Sequence, residues 1–110
     1  MVTALSTLRL YIARNEALMV LDGLLPRRLM AALQVRHVRC DGRGRVVVSI
    51  GTAAGGRGAR ASRSVALPPG DGAECVLSLR DALAAAGPNE PLFGGISEEA
   101  IRHRIKRMRR

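Results

Sequence analysis

The sequence predicts an α+β fold in which helices pack on a small three-stranded antiparallel sheet. Three observations predict it. Apolar residues recur at helical spacing near both ends of the chain. A β-branched run, RVVVSI, follows a DGRG turn, and a second run, SRSVAL, closes on Pro68-Pro69-Gly70. No internal repeat and no second-domain signal interrupts the pattern, so residues 1–110 read as a single domain.

The first helix is expected over residues 3–21. Leu5, Leu8, Ile12, Leu18 and Leu21 share roughly helical spacing, Thr3 or Ser6 caps the start, and Asp22-Gly23 ends it. Leu8, Ile12 and their apolar neighbours place this helix, and Tyr11 with it, in the packed core. Pro26 suits the first turn of a second helix, 26–36, with Arg27 and Arg28 near its start and Leu29, Met30, Leu33 and Val35 as its apolar surface. The period then changes to two, predicting a hairpin of strands 38–40 and 45–50. Residues 51–61, GTAAGGRGARA, form a loop with Arg57 and Arg60 and no acid, and 62–67 is the third strand. Asp71 caps a helix over 72–86 that Gly87-Pro88 terminates. After the connector NEPLFGGI, Ser97 is the expected N-cap of a last helix, 98–110, with Glu98 and Glu99 at its positive end.

Hydrophobic residues make up 47% of the chain, which supports a globular core rather than a disordered tail. Aromatics are only Tyr11 and Phe93, so that core is aliphatic. The formal net charge is +9, and of 18 basic residues only Lys106 is lysine. Compositional bias explains arginine in place of lysine, but not the excess of cations over acids. Such an excess in a small domain fits a polyanion, and the planar arginine fork fits phosphate and guanine edges. An anionic membrane surface and an acidic protein are the other partner classes for this charge. No apolar run reaches membrane-spanning length, and the N-terminus lacks the pattern of a signal peptide. The expected setting is therefore cytoplasmic and nucleoid-associated, with no membrane partner. Cys40 and Cys75 have no partner at metal-ligand spacing, and His37 and His103 do not complete a finger pattern. They are expected as buried free thiols, with no metal or cofactor.

Two stretches carry candidate chemistry. In the loop 51–61, Gly51, Gly55, Gly56 and Gly58 leave the backbone free to approach a phosphate while Arg57 and Arg60 supply charge. It is not a P-loop, because no GK[ST] follows and it does not lead into a helix. In the last helix, Ile101, Ile105 and Met108 form one apolar stripe, and Arg102, Arg104, Lys106, Arg107, Arg109 and Arg110 cover the other faces. That pattern suits a helix lying along a nucleic-acid backbone. No catalytic constellation stands out. His37 has no serine or cysteine partner and fits a helix–strand junction, His103 fits a surface position, and the acids are scattered.

Residues 14–107 resemble the N-terminal half of the catalytic domain of the tyrosine recombinases (phage integrases). The stretches that carry the resemblance are RNEALMVLDGLLPRRLMAALQVRHV, RVVVSIG, SRSVALP and EPLFGGISEEAIRHRIKRM, in that family's order and spacing. The resemblance implies part of the DNA breaking-rejoining fold and a DNA-facing surface made of Arg27, Arg28, the hairpin tip, Arg63 and the last helix. The chain departs from the family where catalysis would need it. The family's first catalytic arginine falls on Pro26 or Arg27, and its lysine on Thr52 or, with a longer loop, Arg57. The His-x-x-Arg box and the tyrosine nucleophile that follow the last matching helix are not in this sequence, whose only tyrosine is Tyr11. Covalent phosphoryl transfer needs both that nucleophile and the converging cations.

The expected function is thus a non-catalytic DNA-binding protein, an accessory or regulator of a mobile element. It would act through Arg27, Arg28, Arg57, Arg60, Arg63, Arg102, Arg104, Lys106 and Arg107, with duplex DNA and a full-length recombinase as partners. The alternatives are an integrase fragment that needs a further chain, and a protein-interaction module whose basic face meets an acidic partner.

Overall fold

A computed structural model describes residues 7–51 and 62–109. Within them the elements run α1 (Thr7–Leu21), α2 (Arg27–Ala32), β1 (Val38–Cys40), β2 (Val46–Gly51), β3 (Ser62–Leu67), α3 (Asp71–Leu83) and α4 (Glu98–Met108). This is the α+β arrangement the sequence predicts, four helices with a three-stranded antiparallel sheet.

The sheet order is β1-β2-β3, with Val38 opposite Val48, and Val46 opposite Leu67. Alternation along β2 buries Val46, Val48 and Ile50 and turns Val47 and Ser49 away from them. The β1–β2 turn is held by Asp41, whose Oδ1 accepts from the Arg43 and Arg45 N–H groups at 2.8 and 2.9 Å. Gly44 supplies the positive φ (+82°) that the turn requires. Those two amides and the Arg45 guanidinium hold the Asp41 carboxyl below the usual carboxylate range. One side of α3 packs on β1 and β2 and another on α1, while α4 packs on α1 and α2. A single aliphatic core results, from Ala17 and Leu18 through Val48 and Leu79 to Phe93 and Ile105.

Several boundaries depart from expectation for physical reasons. The second helix, expected over 26–36, stops at Ala32, and Leu33 turns extended with ψ 139°. The segment after α3 competes for its backbone. The Leu92 N–H donates to the Leu33 carbonyl at 2.8 Å, and the Val35 and Arg36 N–H groups donate to Glu90 and Pro88 carbonyls, each at 3.0 Å. A 3₁₀ turn, Val35–His37, then leads into β1. Asp71 does not cap α3: Gly70 is the cap residue and Asp71 lies in the first turn, where its charge still favours the positive helix end. That helix closes as a 3₁₀ turn, Ala84–Ala86, before Gly87. The last helix ends at Met108 rather than continuing to residue 110.

Two further expectations are overturned. Cys40 is exposed, at the end of a short edge strand, and Cys75 is half-buried with its thiol pushed up by burial. Leu8 (66% exposed) and Ile12 (46%) point away from the core, so the first half of α1 is not enclosed and Tyr11 is 41% exposed. The face of α1 that the core takes is Leu10, Ala13, Ala17, Leu18, Val20 and Leu21. Leu5 lies outside the described residues.

This division of α1 and the docking of α4 are tested by substitution. Ile105→Asp places an unpaired charge among Ile101 and its neighbours and is expected to cost about 3–5 kcal/mol. Leu8→Ala is expected to change stability by less than about 0.5 kcal/mol, as surface substitutions do. Chemical denaturation measures both, and equal costs at the two positions would refute the assignment of faces.

Candidate nucleic-acid interface

The basic surface is built on α4, and its sequence dictates how that helix sits. Ser97 caps it, its Oγ accepting the Ala100 N–H at 3.1 Å. Glu98 and Glu99 occupy the first turn and Lys106 and Arg107 the last, both favourable to the helix dipole. Ile101 and Ile105 are buried, and Met108 packs partly against the core. With that stripe inward, Arg102, His103, Lys106, Arg107 and Arg109 stand exposed. Arg104 behaves differently from its expected outward placement. It is half-buried on the α1 side, with its guanidinium 4.8 Å from the centroid of the Tyr11 ring.

Arg102, Lys106 and Arg109, at i, i+4 and i+7, share one side of the helix. Together with Arg27 of α2 and a floor formed by Ile105 they line a cleft of about 270 Å³. The carboxylate that organises it is Asp22, only 7% of whose side chain is exposed. Its Oδ1 accepts from Arg27 at 3.3 Å and its Oδ2 from Arg109, so the two arginines are held by one group. The turn after α1 makes this possible. Gly23 adopts φ +89°, the Leu24 N–H donates to the Leu21 carbonyl at 2.9 Å, and Pro26 then starts α2 with Arg27 at its first position. On the outer rim, Glu99 accepts from Arg102 at 2.5 Å and lies 3.3 Å from His103. The Arg102 hydrogen bond and charge, then His103, hold the Glu99 carboxyl below its ordinary range. Among the described residues, no ion pair involves Lys106 or Arg107.

Of the expected residues, Arg27, Arg102 and Lys106 meet at this cleft. Arg107 is exposed on α4 and Arg28 on α2, outside the cleft lining. Arg63 is exposed on β3, opposite Ile50, and is not part of the cleft. Arg57 and Arg60 lie outside the described residues. Sequence reasoning placed Arg109 on the outer face of the last helix but left it out of the expected site, and it missed Asp22, which holds Arg27 and Arg109. Arg109 was legible from its seven-residue spacing to Arg102. Asp22 read only as a helix stop, and nothing local ties it to a residue 87 positions away.

Elsewhere, His37 occupies the junction between the 3₁₀ turn and β1, as expected, with Nδ1 accepting the Gln34 N–H at 2.9 Å. Burial, then the Arg36 charge, lowers its pKa from the ordinary 6.5. Arg14 threads through the fold and donates from Nε to the Leu92 carbonyl at 3.0 Å. Among the described residues no group of His, Cys, Asp and Glu is arranged to hold a metal ion, and no helix is long and apolar enough to cross a membrane. None of the protein-family models, curated proteins or solved structures compared with this chain matches it.

The His37 environment sets a pH dependence of folding. Folding lowers the His37 pKa, so the unfolded chain binds its proton first. The stability supplied by neutral His37 is complete above the ordinary value of 6.5 and declines as pH falls below it toward the folded value. Thermal melts between about pH 7.5 and 5.5 are expected to fall more steeply for the parent than for His37→Asn, a window above the carboxylate range. Parallel curves for the two proteins would contradict the assignment.

Proposed function

We propose that this chain is a non-catalytic protein that binds double-stranded DNA through the outer face of α4. The observation that carries the reading is the docking of α4. Ile101 and Ile105 are buried, which leaves Arg102, Lys106 and Arg107 exposed on α4, with Arg27 beside Arg102 and Lys106 at the cleft and Arg28 exposed on α2. Exposed cations on a helix suit the charged phosphates of a nucleic-acid backbone and require no base-edge contact. The arginine-rich composition and the +9 charge support the same partner. The stretches that resemble a tyrosine recombinase favour a role beside such an enzyme, as an accessory or regulator of a mobile element in the nucleoid. They also favour a full-length recombinase as a second partner.

Binding of this kind is driven by counterion release. With roughly five phosphate contacts, the log–log dependence of affinity on salt is expected to have a slope of about −4 to −5. Fluorescence anisotropy with a labelled duplex at several salt concentrations measures it. Lys106→Ala and Arg107→Ala are each expected to reduce the slope by about one while leaving the thermal melt unchanged. A flat salt response, or no binding at low salt, refutes the reading.

The same reading holds that the chain does not cut DNA. Tyr11 lies on α1, its ring beneath the Arg104 guanidinium, and the family's first catalytic arginine and its lysine fall on Pro26 or Arg27 and on Thr52 or Arg57. Each absent electrostatic donor typically costs about two to three orders of magnitude in rate. A suicide substrate that traps covalent protein–DNA adducts is expected to yield none. An adduct that disappears in Tyr11→Phe would overturn the non-catalytic assignment.

A further inference from the structure

We infer that the cleft between α2 and α4 is a pocket for a dianionic phosphate monoester, either free or at the end of a nucleic-acid strand. Arg27, Arg102, Lys106 and Arg109 converge on it from two helices. Two carboxylates neighbour them: Asp22, shared by Arg27 and Arg109, and Glu99, on Arg102. Four cations against these two acids leave two positive charges uncompensated. Part of the cluster is accounted for as a clasp, because Asp22 ties the turn after α1 to the end of α4. The clasp does not account for Lys106, which has no acidic partner among the described residues, or for the approach of Arg102 from the same side.

The charge and shape of the cleft select the ligand. A backbone phosphodiester carries one charge, and its phosphorus is flanked by a sugar on both sides. A phosphate monoester carries nearly two charges at neutral pH and has three free oxygens to offer to guanidinium forks. At about 270 Å³ the cleft is smaller than those that enclose drug-sized ligands, so it suits a phosphate group and little more. Its floor is the buried side chain of Ile105, which offers no hydrogen-bonding group to compete with the ligand. Asp22 acts as a positioning residue. Its buried carboxylate fixes the Arg27 and Arg109 forks before the anion arrives, so less side-chain freedom is lost on binding.

The inference goes beyond duplex binding and stands without it. The test uses inorganic phosphate and matched short oligonucleotides, single-stranded and duplex, with a 5′-phosphate or a 5′-hydroxyl. Amide chemical shifts map the contact and anisotropy gives the affinity. Inorganic phosphate is expected to shift the amides of Arg27, Arg102, Lys106 and Arg109. The 5′-phosphorylated strand is expected to bind about tenfold tighter than its 5′-hydroxyl counterpart. Shifts with inorganic phosphate but no preference among strands assign the pocket to a free phosphate compound. A preference for the phosphorylated strand assigns it to strand ends. Lys106→Gln, an exposed change that leaves the melt unaltered, is expected to abolish most of the effect. Asp22→Asn is expected to weaken phosphate binding and also to lower the melting temperature. Salt-dependent duplex binding that ignores the 5′-phosphate, with no shift by inorganic phosphate, overturns the pocket and leaves the duplex reading intact. A 5′-phosphate preference without duplex affinity does the reverse.

Discussion

Ile101 and Ile105 fasten the basic helix α4 to a core that has almost no aromatic mass, and the placement of every cation on that helix follows from those two contacts. The helix is only three turns long, so a short apolar stripe fixes its rotation about its own axis. Rotation then decides which charges meet the solvent, which meets Tyr11 and which reaches Asp22. The stripe is economical in residues but exacting in shape, because an aliphatic side chain displaced from a close-packed neighbour loses contacts that nothing else replaces.

A chain with a formal charge of +9 carries a cost in self-repulsion. The structure meets that cost locally. Asp22, Glu99, Asp41 and Asp81 each accept from at least one arginine, and Arg104 is placed over the Tyr11 ring face. Most of these pairs sit at the surface, where each contributes little. Asp22 is the exception. Its side chain is largely withdrawn from water and holds two partners, so removal of the carboxylate would leave two guanidinium groups facing each other across a cleft.

The sheet was legible to within a residue at each end because its signals are local. β-branched alternation marks the strands, and Asp41 and Gly44 mark the turn between β1 and β2. The Ser97 cap was equally local. Where the reading failed, the deciding contact lay far along the chain. The second helix looks continuous to Arg36, but residues 88–92 claim its backbone carbonyls and amides. On α1 two apolar stripes are interleaved, and periodicity alone does not say which one the core takes. It takes Ala17, Leu18 and Leu21, leaving Leu8 and Ile12 outside. For the candidate site, the arginines of α4 were visible as a basic run. Their convergence with Arg27 was not, because it depends on the 87-residue separation between Asp22 and Arg109.

The split character of α1 has a consequence for how the helix opens. At Ala17, Leu18 and Leu21 the helix is buried, so amide exchange there requires disruption of the core itself. From Thr7 to Ile12 less of the helix is buried, with Leu10 packed partly against the core and Tyr11 beneath the Arg104 guanidinium. A helical segment that short is marginal in water without packing. The solvent-facing turns of this one helix are therefore expected to exchange hydrogen more readily than its buried last turn.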